Sequence, residues 1–214
     1  MWYAHCCGLK RYKMGITIKN LVLFKTGWLA CVYFAAGGQA WIGIAAVALV
    51  AAAHLLTVPN WRKEALTLAG AALMGFLWES LLVWAQVLNY PTAPGAHTFA
   101  PGWIVAMWVL FATTINYGLS WVKYSWWAAA LAGAIGGPLA FLGGSAFGAV
   151  TFSDTVTSLA IIGAGWAVLL PLLALMADTI IDSTRFEPGY RRARRATLLE
   201  QAQVLLHSKG LDDG

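Results

Sequence analysis

Three apolar runs between Ala65 and Gly148 carry the residues whose chemistry is out of place in their surroundings. Glu79 is the only acidic residue set well inside such a run. It lies 16 residues past Lys63, about 24 Å along a helix at 1.5 Å per residue. That places it beyond the midplane of a bilayer. A carboxyl there is costly and marks a functional site by default. In apolar surroundings it is expected to be a neutral hydrogen-bond donor. The plain alternatives are a bridge between two helices and an outer water-filled vestibule. Gly75, one turn earlier, leaves room for a neighbouring helix, and Gln86 lies two turns beyond on a similar face. The next run holds Thr113, Thr114, Asn116, Tyr117 and Ser120. Asn116 and Ser120 are one turn apart, and Thr113 shares their broad face. Contact between Asn116 and Glu79 needs tilt or water. Interhelical hydrogen bonding, worth about 0.6 and at most about 1.7 kcal/mol in a membrane, would account for these residues without a function.

The last of these runs has Ala132, Gly136, Ala140, Gly144 and Gly148 at four-residue intervals. Such a ladder predicts close helix packing. Pro138 removes a donor for the Ala134 carbonyl and crowds it, and with Gly136 and Gly137 adjacent a kink is expected. A broken helix can bind ions or substrate through freed backbone groups, and a purely structural kink is the alternative.

Other chemistry is thin. His54 lies at one end of its run with no second His in the membrane, so no metal site is expected, and no cofactor. It would be the one buried axial ligand for a haem. Cys6, Cys7 and Cys31 form neither a disulfide framework nor a zinc spacing. There is no P-loop, nucleophile elbow or paired-His zinc motif, and Ser145 lacks a visible base.

The elements that position these residues are transmembrane helices. Of 214 residues, 60% are hydrophobic and 11% charged, far below the roughly 25% charge of soluble domains. A span needs about 20 apolar residues. The fold class is all-α, a polytopic six-transmembrane-helix bundle with spans at 20–37, 40–58, 65–88, 102–122, 126–148 and 157–177. Residues 1–19 form a basic cytoplasmic leader, with Met1 or Met14 as the start, and 178–214 a basic cytoplasmic tail. The first span, in which Lys25 can snorkel to the headgroups, reads as a retained helix. A signal peptide, or a lipoprotein site at Leu29-Ala30-Cys31, would leave the later spans unexplained. Outside the spans every Lys and Arg falls in the leader, the Arg62-Lys63 loop, the Lys123 loop or the tail. Six spans put all four segments on one side, which the positive-inside rule makes cytoplasmic. Both termini are then inside. Trp41, Trp103, Trp121, Trp126 and Trp127 lie near span ends, as an aromatic belt predicts. The net charge of +5 therefore points to the membrane and not to nucleic acid. In the tail, 188–209 reads as an amphipathic helix whose Arg191, Arg192, Arg194 and Arg195 suit anionic lipid or simply anchor the topology.

Phe111-Ala112-Thr113-Thr114-Ile115-Asn116, Gly133-Ala134-Ile135-Gly136-Gly137-Pro138-Leu139-Ala140 followed by Gly148-Ala149, and Asn20-Leu21-Val22-Leu23-Phe24 with Gly27-Trp28 carry a resemblance. Over roughly Met14 to Met176 the chain resembles a bacterial inner-membrane family, domain of unknown function 2878. The resemblance implies a polytopic membrane protein whose relatives are often encoded near fatty-acyl-modifying enzymes. Relatives often carry His after the Asn and Asp in the third span, where this chain has Tyr117 and Glu79.

The function expected is an accessory or scaffold subunit of an envelope complex in the bacterial inner membrane, linked to membrane-lipid modification. Its expected partners are membrane lipids and a membrane protein or a second copy. The alternatives are a small proton-coupled transporter or channel using Glu79 and the kinked fifth helix, and a membrane-embedded lipid-modifying enzyme, although no catalytic constellation is visible.

Overall fold

A run of apolar residues becomes a helix in hydrocarbon because only a helix satisfies its own backbone there. The computed structural model describes residues 2–92 and 98–181, without the side chains of 2–14 and 16. The chain divides into two compact units, residues 1–180 and 181–214, and the helices form the first. The basic tail, with Arg191, Arg192, Arg194 and Arg195, lies outside the described residues.

The described residues hold six α-helices: α1 (Trp2–Ala36), α2 (Ala40–Thr57), α3 (Trp61–Trp84), α4 (Gly102–Ile115), α5 (Trp126–Ala146) and α6 (Thr155–Ile181). The fold is all-α apart from two two-residue strands, β1 (Leu88–Asn89) and β2 (Thr151–Phe152), paired antiparallel. Four helices, α2, α3, α5 and α6, are long and apolar enough to cross a membrane, and α4 is a shorter apolar helix. Leu49, Leu73, Leu131 and Leu175 point outward and are more than half exposed. An apolar exterior of this kind suits lipid rather than water.

Helix α4 is the hub, packing against α1, α2 and α3. Its Trp108, Leu110, Ala112, Thr114 and Ile115 are almost fully buried. It ends earlier than its apolar sequence suggests. Asn116 caps it, the amides of Tyr117 and Leu119 return to the Thr114 carbonyl, and a 3-10 turn follows over Ser120–Lys123. Asn20 of α1 locks this turn, donating to the Thr113 carbonyl at 3.0 Å and accepting from the Gly118 amide at 3.2 Å. A Cβ at Gly118 would strike Asn20 and Leu21, so the turn needs glycine for this approach.

Helix α3 also stops short. It ends at Trp84, and exposed Gln86 takes a left-handed conformation (φ 54°) in the following turn. The Gln86 carbonyl accepts a hydrogen bond from the Ser153 hydroxyl, and the Val87 carbonyl accepts one from Ser158 at 2.6 Å. The segment after α3 is thereby stitched to the start of α6. There the Asp154 carboxylate caps the helix, accepting from the Thr157 amide at 2.8 Å. Bonds from Thr157 hold this exposed carboxyl below its ordinary pKa.

Helix α5 continues unbroken through Pro138, and α6 through Pro171. The Ala134 carbonyl, deprived of its donor by Pro138, faces Gly163 of α6, where a Cβ would sit 3.1 Å from it. The packing face of α5 is Gly133, Gly137, Phe141 and Gly144, not the expected ladder. A Cβ at Gly133 would meet the Trp166 backbone, and one at Gly137 the Trp166 ring. Gly136 and Ala140 are exposed, and a Cβ at Gly136 meets nothing within 4 Å. Only Gly144 of the ladder is buried, while Gly148 has left the helix with φ 82°. The reason is rotational: adjacent helical positions are about 100° apart, and the tight contact takes the neighbouring stripe.

Candidate functional site

Chemistry-bearing residues collect at two places, one near each end of α3. At the C-terminal end Glu79 is fully buried. Its Oε1 accepts from Trp108 Nε1 at 3.0 Å and its Oε2 from the Tyr90 hydroxyl at 2.9 Å. Indole N–H can only donate, so toward Trp108 the carboxyl acts as an acceptor, a role one of its oxygens can fill whether or not the other carries a proton. Tyr90 lies in the segment after β1 and is 2% exposed. Burial, then the nearby Glu79 charge, push its hydroxyl well above the ordinary tyrosine pKa, keeping it a donor. Gly75 makes the geometry possible, because a Cβ there would overlap the Trp108 ring. Trp108 is stacked on Trp166 of α6, centroids 4.6 Å apart, and Tyr90 meets Trp103 edge to face at 5.3 Å.

This cluster forms part of the wall of a cavity of about 460 Å³ bounded by α1, α4, α5 and α6. Its lining is mostly apolar and aromatic. The exposed small residues Gly136 and Ala140, with Leu139, form part of the lining on α5. The ladder that sequence assigns to helix packing thus creates open volume. Trp28 of α1 meets Phe147 edge to face at 6.4 Å, and the lining residues Lys25, Trp121, Gly136, Leu139 and Ala140 are exposed. Among the described residues, Glu79 and Lys25 are the charged ones in the lining. Trp103 and Trp166 also line it, and among the described residues their buried indole N–H groups find no hydrogen-bond partner. Trp103, 3% exposed, belongs to this interior and not to an aromatic belt, whereas Trp41, Trp121, Trp126 and Trp127 are exposed.

The second place lies at the N-terminal end of α3. Glu64, in the first turn, is 2% exposed. Its Oε1 accepts from Asn116 Nδ2 at 3.0 Å, and Asn116 Oδ1 accepts from Lys123 Nζ at 2.9 Å. Lys123 lies 3.8 Å from Asp178 of α6. Glu64 Oε2 and His54 Nε2 face each other at 3.6 Å, and neither atom has a hydrogen-bond partner among the described residues. Tyr117 meets the His54 ring edge to face at 5.2 Å.

The polar residues of the fourth run therefore divide. Asn116 and Tyr117 join Glu64 and His54, not Glu79. Thr113 and Thr114 bond back to carbonyls of their own helix, Leu110 and Phe111, at 2.7 Å. Ser120 opens the 3-10 turn, and Gln86 is exposed outside α3. Sequence reading missed Glu64, which sits so close to the Pro59-Asn60 turn that it reads as loop. It also missed Tyr90 and Asp178. Among the described residues no three His, Cys, Asp or Glu side chains converge as a metal site.

No curated protein and no solved structure matches the chain. A family model described as protein of unknown function (DUF2878) matches residues 17–172, nearly the whole helical bundle, and the chain belongs to that family.

Proposed function

We propose that this chain is a six-span protein of the bacterial inner membrane, with both termini cytoplasmic, that holds the apolar chain of a membrane lipid. In this reading it is an accessory subunit of lipid modification in the envelope. The observation that carries the reading is the mostly apolar cavity, whose lining includes the exposed residues Gly136, Leu139 and Ala140 of α5. Burying each methylene of a lipid chain contributes about 0.8 kcal/mol where the chain would otherwise meet water. Inside a bilayer that gain disappears, so selective holding must come from shape and from polar groups. The basic segments at the leader, Arg62-Lys63 and Lys123 support the orientation.

The test is lipid retained by protein purified in mild detergent. Ala140→Phe puts a ring into the open volume and should lower retained lipid several-fold without loss of folded protein. Equal retention by the two proteins would refute the reading.

A second reading rests on Glu79, a carboxylate in a cavity wall within the membrane. Proton-coupled flux in proteoliposomes, abolished by Glu79→Gln, would favour a transporter.

A further inference from the structure

Lys25 is an unusual residue to find where it is. From Lys25 to the end of α1 at Ala36 is about 16 Å at 1.5 Å per residue. Within the span 20–37 its backbone lies about 7.5 Å inside the inner end, at 1.5 Å per residue. It is exposed, and it lines the cavity. A cation at this depth is costly and pairs with an anion or reaches an interface. Among the described residues no carboxylate pairs with it, and its recorded partner is the face of Trp28, with Nζ 5.4 Å from the ring centroid. Glu79, the other charge of the lining, is already engaged by Tyr90 and Trp108. Those donors are neutral but satisfy both carboxyl oxygens of a fully buried group, so the charge of the lining that is exposed to an incoming ligand is the Lys25 ammonium.

The inner polar layer lies within reach. Asn20, five residues before Lys25, is tied to the turn after α4, and Trp121 beyond that turn is half exposed and lines the same cavity. A lysine stem extending toward this turn carries its ammonium to the level where exposed indoles mark an interface.

We infer that Lys25 and Trp121 form the headgroup end of the cavity, and that its occupant is an anionic phospholipid of the cytoplasmic leaflet with one acyl chain between α1 and α5. This rests on the lipid-holding reading above and adds the headgroup class and its direction. The phosphate meets the Lys25 ammonium, and the chain runs past Trp28 and the Gly136 and Ala140 stripe toward Trp103.

The test uses the full chain in detergent micelles supplied with equal phosphatidylglycerol and phosphatidylcholine, the bound lipid being quantified after gel filtration. Wild type should hold phosphatidylglycerol about fivefold over phosphatidylcholine, the preference one basic residue near a membrane surface supports. Lys25→Gln should reduce that preference about fivefold relative to wild type, because the net-anionic lipid loses more than the zwitterionic one. The arginines of the tail are common to both proteins and cancel in this comparison. Gly136→Phe, which meets open space, should lower both lipids together, and Ala140→Phe serves the same purpose should Gly136→Phe fold poorly. Equal binding of the two lipids by wild type, or an unchanged preference in Lys25→Gln, would overturn the headgroup inference while leaving the cavity reading intact. Unchanged binding in a folded cavity-filling variant would overturn both.

Discussion

Replacing Glu79 with Leu leaves Trp108 Nε1 and the Tyr90 hydroxyl without their acceptor. Both donors are in residues 2% exposed, so water does not replace the lost partner cheaply. At about 1–3 kcal/mol for each stranded group, the loss is about 2–6 kcal/mol. Gln is a milder change. Its carbonyl can still accept from Trp108, and its amide can donate to the Tyr90 oxygen, leaving one phenolic hydrogen unplaced. The expected order of stability is wild type, then Gln about 1–3 kcal/mol lower, then Leu. Lys, adding a buried cation, should cost at least about 2.5 kcal/mol. The pairwise coupling of Glu79 and Tyr90 is a different and smaller quantity. A double-mutant cycle with Tyr90→Phe should read about 0.6–1.7 kcal/mol, the range found inside membranes. The assay is reversible unfolding in mixed micelles as denaturing detergent is added. A Leu variant as stable as wild type would refute the reasoning, because it would mean that both donors find other partners at no cost.

Three further outcomes follow from the packing and the caps. Gly137→Leu should destabilise by at least about 1–3 kcal/mol, since its side chain must displace the Trp166 ring, whereas Gly136→Leu should leave the melting temperature in detergent nearly unchanged. Glu64→Leu should cost about 1–3 kcal/mol by stranding Asn116 Nδ2, and Glu64→Gln, which keeps an acceptor, should cost less in the same micelle titration. Asp154→Ala should lower the melting temperature at neutral pH. The folded carboxyl titrates below its ordinary value, so the cap's contribution is present above about pH 4 and lost as pH falls through the lower folded value. The difference between Asp154→Ala and wild type should accordingly shrink in acid.

The apolar runs made the helices legible, and Glu79 stood out because a carboxyl has no place in such a run. Gly75 was legible too, as a place where another element comes close. What covers it, the Trp108 ring, depends on how α4 is rotated, and no local pattern encodes that. Glu64 was hidden for a related reason. A carboxylate four residues past Asn60 reads as solvated loop, and it is buried only because α4 ends early and swings Asn116 over it. The small residues of α5 form two neighbouring stripes, 132/136/140/144 and 133/137, the second continued by Phe141, about 100° apart at their first members. Four-residue spacing cannot say which stripe meets a helix and which meets open space. The answer lies in Trp166, a residue of the next helix.

The small antiparallel pairing of β1 with β2 joins Asn89 to Thr151 across 62 residues of chain. Between them lie α4 and α5. As the chain emerges and enters the membrane in order, Glu79, Tyr90 and Trp108 can find one another once α4 is in place. The β1–β2 pairing cannot form until α5 has crossed and Thr151 has arrived, and Trp108 gains its stacking partner Trp166 only with α6. A half-made chain therefore holds its buried carboxylate against its two donors while the far side of the cavity is still missing. The lipid proposed for the cavity would have that interval in which to enter without any movement of finished helices.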